Sequence, residues 1–224
     1  MALIDFNEFR IRINEKSTAI IIGSANAGID EENFGVITEL LDKIIENRVF
    51  QFLNNGDLLN TGYGSIATVS VMASKKGIRI LTIQSDEGKA EPGSEYYPPA
   101  SNAVYFTDTV YNSNGSVAWC ASSDEGKLCG PLRKSLECIE DMEKKPILIC
   151  FGGGLGSVFE EQTYRNIGIH TFIMVTKNVK KNVTSDDYSA VKPTEGYHVQ
   201  CEWNSAFYHP KGYCLHKLKC GDCV

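Results

Sequence analysis

Three times along this chain a short apolar run ends in a glycine-bearing turn and gives way to residues at helical spacing. Thr18 to Ile22 (TAIII) leads to Gly23-Ser24, the DLLN stretch to Gly62-Tyr63-Gly64-Ser65, and ILICF (147–151) to the run Gly152 to Ser157, GGGLGS. Continuous aliphatic runs without alternation mark strands buried on both faces. Strands of that kind are covered by the helices that connect them. The repeated strand–turn–helix order therefore predicts an α/β architecture with a mainly parallel sheet flanked by helices.

The segments between fit that order. In NAGIDEENFGVITELLDKIIENRV, Phe34, Ile37, Leu41, Ile44 and Ile45 share one helical face, with Glu39, Asp42, Lys43 and Glu46 opposite. Asp30 is a candidate N-cap, and Glu31 and Glu32 suit the positive end of the helix dipole. DLLNTGYGSIATVSVMASKKG reads as a short strand, a turn and a small-residue helix ending near Gly77. Ile78 to Gln84 is the next strand, followed by a polar loop from Ser85 to Asn102, rich in proline and glycine. AVYFTDTVY reads as a further strand, whereas the residues from Asn112 to Gly130 fit no element. Pro131 opens a helix whose stripe is Leu132, Leu136, Ile139 and Met142, with Arg133, Glu137 and Glu140 outside it. PILICF is a strand, Val158 to Asn166 a helix, and His170 to Thr176 the last strand. No internal repeat or low-complexity tract is visible.

Composition narrows the function classes. At 224 residues, 42% hydrophobic and 22% charged, the chain holds enough apolar material for one well-packed domain. Its net charge of −6 provides no basic field for a nucleic-acid polymer or an anionic membrane. Lys144-Lys145 and Lys180-Lys181 read as surface solubilisers. The opening residues alternate charged and apolar types and do not form a signal peptide. No run approaches the roughly 18 apolar residues of a membrane span. A soluble, cytoplasmic protein is expected, with its eight cysteines as thiols or metal ligands.

The domain is expected to cover residues 1–184, followed by a Cys/His-rich extension, 185–224. That extension holds Cys201, Cys214, Cys220 and Cys223 together with His198, His209 and His216. Cys220-x-x-Cys223 has zinc-knuckle spacing, which Cys201 and Cys214 could complete to a tetrahedral structural zinc site. Twelve residues nevertheless separate that second pair, so free thiols and a disulfide stay open beside zinc.

The glycine turns carry the functional signal. In a parallel sheet, ligand crevices lie beyond the carboxyl ends of the strands. Glycine lets a ligand approach the backbone, and the free amides at a helix start suit an anion such as phosphate. Gly23, Ser24, Gly62, Gly64, Ser65, Gly153, Gly154, Gly156 and Ser157 are the candidate phosphate- and nucleotide-binding residues. One such turn alone would mean tight strand–helix packing. Three at equivalent places favour a small phosphate-bearing ligand. Tyr63 stands where it could stack on a base or block it, and His170 reads as structural.

Gly153-Gly154-Leu155-Gly156-Ser157-Val158-Phe159-Glu160 resembles the GGxGTxxE signature of the LOG proteins, the lysine-decarboxylase-like family within the SLOG superfamily. IIIGSANAG, NTGYGSIATVSVMASKKGIRILTI and NIGIHTFIMV are similar to further family segments, in order, across residues 18–176. The resemblance implies a Rossmann-like nucleotide-binding fold. It also implies a phosphoribohydrolase that cleaves the N-glycosidic bond of a nucleoside 5′-monophosphate, a site built at a homodimer interface, and no redox cofactor or catalytic metal. Phe151 replaces the proline that usually opens the signature, Ser157 the threonine, and Thr61-Gly62-Tyr63-Gly64 an unbroken glycine triplet. Arg133-Lys134 is the nearest match to the family's M-x-x-R-K motif, without the methionine and further upstream.

The resemblance assigns Glu160 and Arg133 as the catalytic pair. Departure of the base builds positive charge on the ribose, which a carboxylate near the anomeric carbon stabilises, while a cation holds phosphate or ribose hydroxyls. Glu161 faces elsewhere on the helix and is a second choice. The bland alternative for Glu160 is a surface acid favoured by the helix dipole; for Arg133 it is a solvated helix residue. The alternative function is a catalytically silent SLOG-type sensor of a nucleotide-derived signal such as an ADP-ribose-type molecule.

Overall fold

The computed structural model describes residues 2–23, 34–54, 65–89, 101–118, 122–151, 155–176, 197–199 and 205–210. Along the chain run β1 (Ala2–Leu3), α1 (Phe6–Asn14), β2 (Thr18–Gly23), α2 (Phe34–Glu46), β3 (Gln51–Asn54), α3 (Ser65–Lys75) and β4 (Arg79–Ser85). After a short 3-10 turn, Asp86–Lys89, come β5 (Ala103–Thr107), α4 (Gly130–Glu140), β6 (Ile147–Phe151), α5 (Leu155–Asn166), β7 (His170–Thr176), β8 (Tyr197–Val199) and β9 (Ser205–Pro210).

The strands form one sheet in the order β1-β5-β4-β3-β2-β6-β7-β9-β8. The six from β5 to β7 are parallel, β1 adds in parallel to β5, and β9 and β8 add antiparallel beyond β7. The chain steps outward from β2 to β5, then returns to lay β6 and β7 on the other side of β2. Right-handed crossovers that reverse direction place their helices on opposite faces. Accordingly α2 and α3 pack with Ala19, Ile21, Phe52, Ile80 and Ile149. On the other face α1, α4 and α5 pack with Ile20, Ile22, Leu53, Leu81, Ile83 and Leu148. Each fully buried aliphatic side chain contributes about 1.5–3 kcal/mol. This is the Rossmann-like α/β architecture expected from the strand–turn–helix order.

Some local expectations change. The strand described between α2 and α3 is Gln51–Asn54; the DLL residues lie outside the described residues, together with Asp30. Arg48 adopts a φ of 59° and closes α2. Its N–H reaches the Ile45 carbonyl, and the next amide reaches that of Ile44, so the chain enters the sheet at once. Lys43 is buried rather than solvated, with Nζ 2.6 Å from Glu46. The helix after the glycine run starts at Leu155, three residues earlier than its apolar spacing suggests.

The amino-terminal residues are structured too. Asp5 caps α1 by accepting from the Glu8 amide at 2.8 Å, and Phe9 and Ile13 enter the core. At the amino edge of the sheet, Arg79 donates to Gln51 (2.6 Å), Glu15 (2.7 Å) and the Arg12 carbonyl (2.7 Å).

The irregular stretch after β5 resolves into two small hairpins. Tyr111 pairs with Val117 and Ser122 with Leu128, around turns at Gly115 (φ 81°) and Gly126 (φ 78°). The hairpins clasp each other: the Ser113 amide donates to Asp124, and the Asp124 amide donates to Asn112. No helix among the described residues is long and apolar enough to cross a membrane.

Candidate functional site

Because the chain reverses at β2, the crevice expected of an open parallel sheet lies at the carboxyl edge between β2 and β6. Gly23, the last residue of β2, pairs with Phe151, the last of β6, so these strands end level. On the other side of β2, Asn54 at the end of β3 pairs with Ile21, two residues short of that level. Two of the three runs that lead into glycine turns, TAIII and ILICF, are thus neighbours in space and share one edge, while the DLLN run lies outside the described residues. Ser24, Gly62, Gly64, Gly153 and Gly154 themselves lie outside the described residues, as do Cys201, Cys214, Cys220 and Cys223.

Ser65 opens α3, and Gly156 and Ser157 fall in the first turn of α5. Backbone amides in a first turn have no partner within the helix, so both helix starts present donors at this edge. One turn further along α5 stands Glu160, 6% exposed. It lies four residues before Tyr164, which is wholly buried in the core, so the two share the sheet-facing side of the helix. A solvated acid at a helix start would be open to water; Glu160 is not. Burial of a carboxylate is costly unless it is paired or hydrogen-bonded. Glu161 is buried further still, with Oε1 3.3 Å from Nε of Arg165. Facing away from Glu160 therefore does not mean facing solvent.

Arg133 occupies the first turn of α4, where its guanidinium donates to Asp108 just beyond β5. Burial pushes the Asp108 carboxyl up, but a 2.8 Å hydrogen bond from Thr107 and the charge of Arg133 outweigh it and hold it below the usual carboxylate range. This start of α4 is tightly seated. A Cβ added to Gly130 would lie 2.3 Å from the Asp108 carbonyl oxygen and 2.7 Å from Cγ2 of Thr107.

Helix α4 packs over β4 and β5, and α5 over β2, β6 and β7. The helices carrying Arg133 and Glu160 are therefore neighbours on one face, both starting at the carboxyl edge of the sheet. They are joined by a 2.7 Å hydrogen bond between Ser135 and Tyr164.

Residues that sequence reasoning passed over also gather at this edge. Asn54, Gln84, Ser85 and Thr107 are buried polar side chains at the ends of β3, β4 and β5. The available signal was positional: each closes an apolar run (QFLN, ILTIQS, VYFT). Asp108, the partner of Arg133, was likewise hidden within a stretch read only as strand.

No family model matches the chain, and no curated protein matches it. Among solved structures, the molybdenum cofactor carrier protein from Chlamydomonas reinhardtii is similar at 13% identity and a TM-score of 0.44, over 70% of this chain and 75% of that one. The structural-genomics target TM1055 is similar at 15% identity and a TM-score of 0.41, over 68% of this chain and 71% of that one. At such distances neither carries an assignment of ligand or activity to this chain.

Proposed function

We propose that the chain binds a nucleoside 5′-monophosphate at the carboxyl edge of β3, β2 and β6 and hydrolyses its N-glycosidic bond. The observation that carries this reading is the level ending of β2 and β6, Gly23 beside Phe151, with buried Glu160 one turn into the helix that follows. First-turn amides of α5 receive the phosphate, with the Ser65 end of α3 at the same edge on the opposite face of the sheet. Glu160 stabilises charge developing on the ribose, or orients the attacking water, and Arg133 supplies the cation for phosphate or ribose hydroxyls. Hydrolysis changes the oxidation state of neither partner, so the reading needs no redox cofactor. The functional unit is a homodimer in the cytoplasm.

A second reading, a silent binder of a nucleotide-derived signal, is favoured by one observation. Arg133 is already engaged by Asp108 at β5, three strands from β2. Incubation with mixed nucleoside monophosphates, followed by mass spectrometry, separates the two. Free base with ribose 5-phosphate is expected. Intact nucleotide retained on the protein would establish the binder, and neither turnover nor retention would overturn both.

A further inference from the structure

We infer that the buried hydrogen bond between Ser135 and Tyr164 is a positioning contact: it fixes the axial register of α4 against α5, and through it the placement of Arg133 relative to Glu160. The inference deepens the proposed function and rests on it for the roles of those two residues.

Both side chains are wholly buried, and their hydroxyls meet at 2.7 Å. Tyr164 lies in the core cluster that also holds Leu132, Ile139, Leu148 and Ile169. Apolar contact is non-directional, whereas a hydrogen bond weakens steeply with distance and angle. Sliding one helix by a single residue, about 1.5 Å, would break the bond. A phenylalanine would supply the same aromatic volume, so filling space does not account for the phenolic oxygen. Ser135 answers it on the facing helix.

The lever arms are short. Both helices start at the carboxyl edge and run the same way. Arg133 stands two residues, about 3 Å of rise, on the ligand side of Ser135, and Glu160 four residues, about 6 Å, on the ligand side of Tyr164. A register error at the bond therefore reaches both side chains almost undiminished. The chain between α4 and α5 passes through β6, so neither helix sets the height of the other by a direct loop.

The test uses Tyr164→Phe, Ser135→Ala and the double variant of the full chain. Amide hydrogen exchange of the ligand-free protein reads register without assuming an activity. Exchange about tenfold faster, confined to α4 and α5, is expected in each single variant, with the double variant no faster than the worse single. A change spread evenly over all helices, or none, would overturn the inference. Steady-state kinetics on a nucleoside 5′-monophosphate is the second readout: kcat should fall roughly tenfold or more with KM within about twofold, the pattern of misplaced groups rather than lost binding. Unchanged kcat alongside loosened helices would also overturn it. Should the wild type release no ribose 5-phosphate, the enzymatic reading fails by itself, and the exchange pattern alone decides whether the bond sets the register.

Discussion

Asp108, one residue beyond the end of β5, accepts a hydrogen bond from Arg133 across the seat of α4. Both side chains are substantially exposed, so the pair is worth about 0–1 kcal/mol. Under the proposed function its larger consequence is for ligand binding, since a guanidinium held by a carboxylate is less available to a phosphate. Asp108→Asn is expected to leave thermal stability within about 1 kcal/mol of wild type. It should tighten nucleoside monophosphate binding by a few fold in calorimetric titration. Because the Asp108 carboxyl is held low, the wild type should approach the variant only as pH falls through that depressed value. Weaker binding by the variant would show that Asp108 helps aim Arg133 rather than compete for it.

Glu160→Gln keeps the shape of a buried side chain and removes its charge. If the carboxylate stabilises the ribosyl cation or orients water, turnover should fall by roughly 10²–10⁴ while affinity for the intact nucleotide is retained. Release of ribose 5-phosphate at the wild-type rate would remove Glu160 from the chemistry. Tm must be measured beside it, since the site is only 6% exposed and the substitution alters a buried polar group.

Gly130 tests how firmly α4 is seated. An added methyl would press on the backbone oxygen of Asp108, which has no flexible side chain to yield. Gly130→Ala should cost about 1–3 kcal/mol by urea unfolding, as overpacking does elsewhere. It should also weaken phosphate binding through Arg133, three residues on. A neutral result would mean that the start of α4 can lift without consequence.

How much of this was readable in advance follows from which residues carried a period. TAIII is buried on both faces, IRILTIQ likewise apart from half-buried Arg79, and Leu148 and Ile149 of ILICF are buried on opposite faces; runs of that kind announce a parallel sheet without further information. Gln51–Asn54 did not read as a strand because polar residues close both of its ends. Gln51 is there to meet Arg79, a partner 28 residues away that no local window contains. The two hairpins were missed for a related reason. They share a geometry eleven residues apart, at Gly115 and Gly126, but apart from that glycine their residues differ, so self-similarity in sequence was absent. At the candidate site, the glycine signature and Glu160 are legible as pattern, although Gly152 to Gly154 lie outside the described residues. The burial of Glu160 and the Asp108–Arg133 and Ser135–Tyr164 contacts depend on which helices end up adjacent, and only the sheet order decides that.

Arg79 gathers the amino edge by bonding Gln51, Glu15 and the Arg12 carbonyl together. Its hydrogen bond is the chief reason the Glu15 carboxyl sits below its ordinary value of 4.5. A depressed carboxylate adds stability above its unfolded pKa and loses it as pH falls through the folded one. Arg79→Met strands the buried oxygen of Gln51 and should cost about 1–3 kcal/mol near neutrality. The gap between wild type and variant should narrow as pH drops below 4.5, because the variant has already lost the largest cause of the Glu15 shift and keeps only the weaker pull of Arg12 and Lys16. A gap constant down to pH 3 would assign the loss to Gln51 alone.

Cys138 reports on the opening of α4. Burial pushes its thiol up to about 12, so almost no thiolate exists near pH 8, and the side chain is wholly inaccessible. Alkylation of the folded protein at pH 8 should leave Cys138 unmodified under conditions that label it fully in denaturant, as judged by peptide mapping. Residual labelling must then pass through an opened state, and its rate measures how often α4 leaves the core. A ligand that binds only the closed form lowers that rate in proportion to 1 + [L]/Kd. Nucleoside monophosphate held through Arg133 and α5 should therefore slow labelling of Cys138 by about tenfold at nine times its Kd. Labelling that is rapid in the folded state would mean that α4 is not clamped by Ser135 and Gly130. Labelling that is slow but indifferent to the nucleotide would place the ligand away from α4.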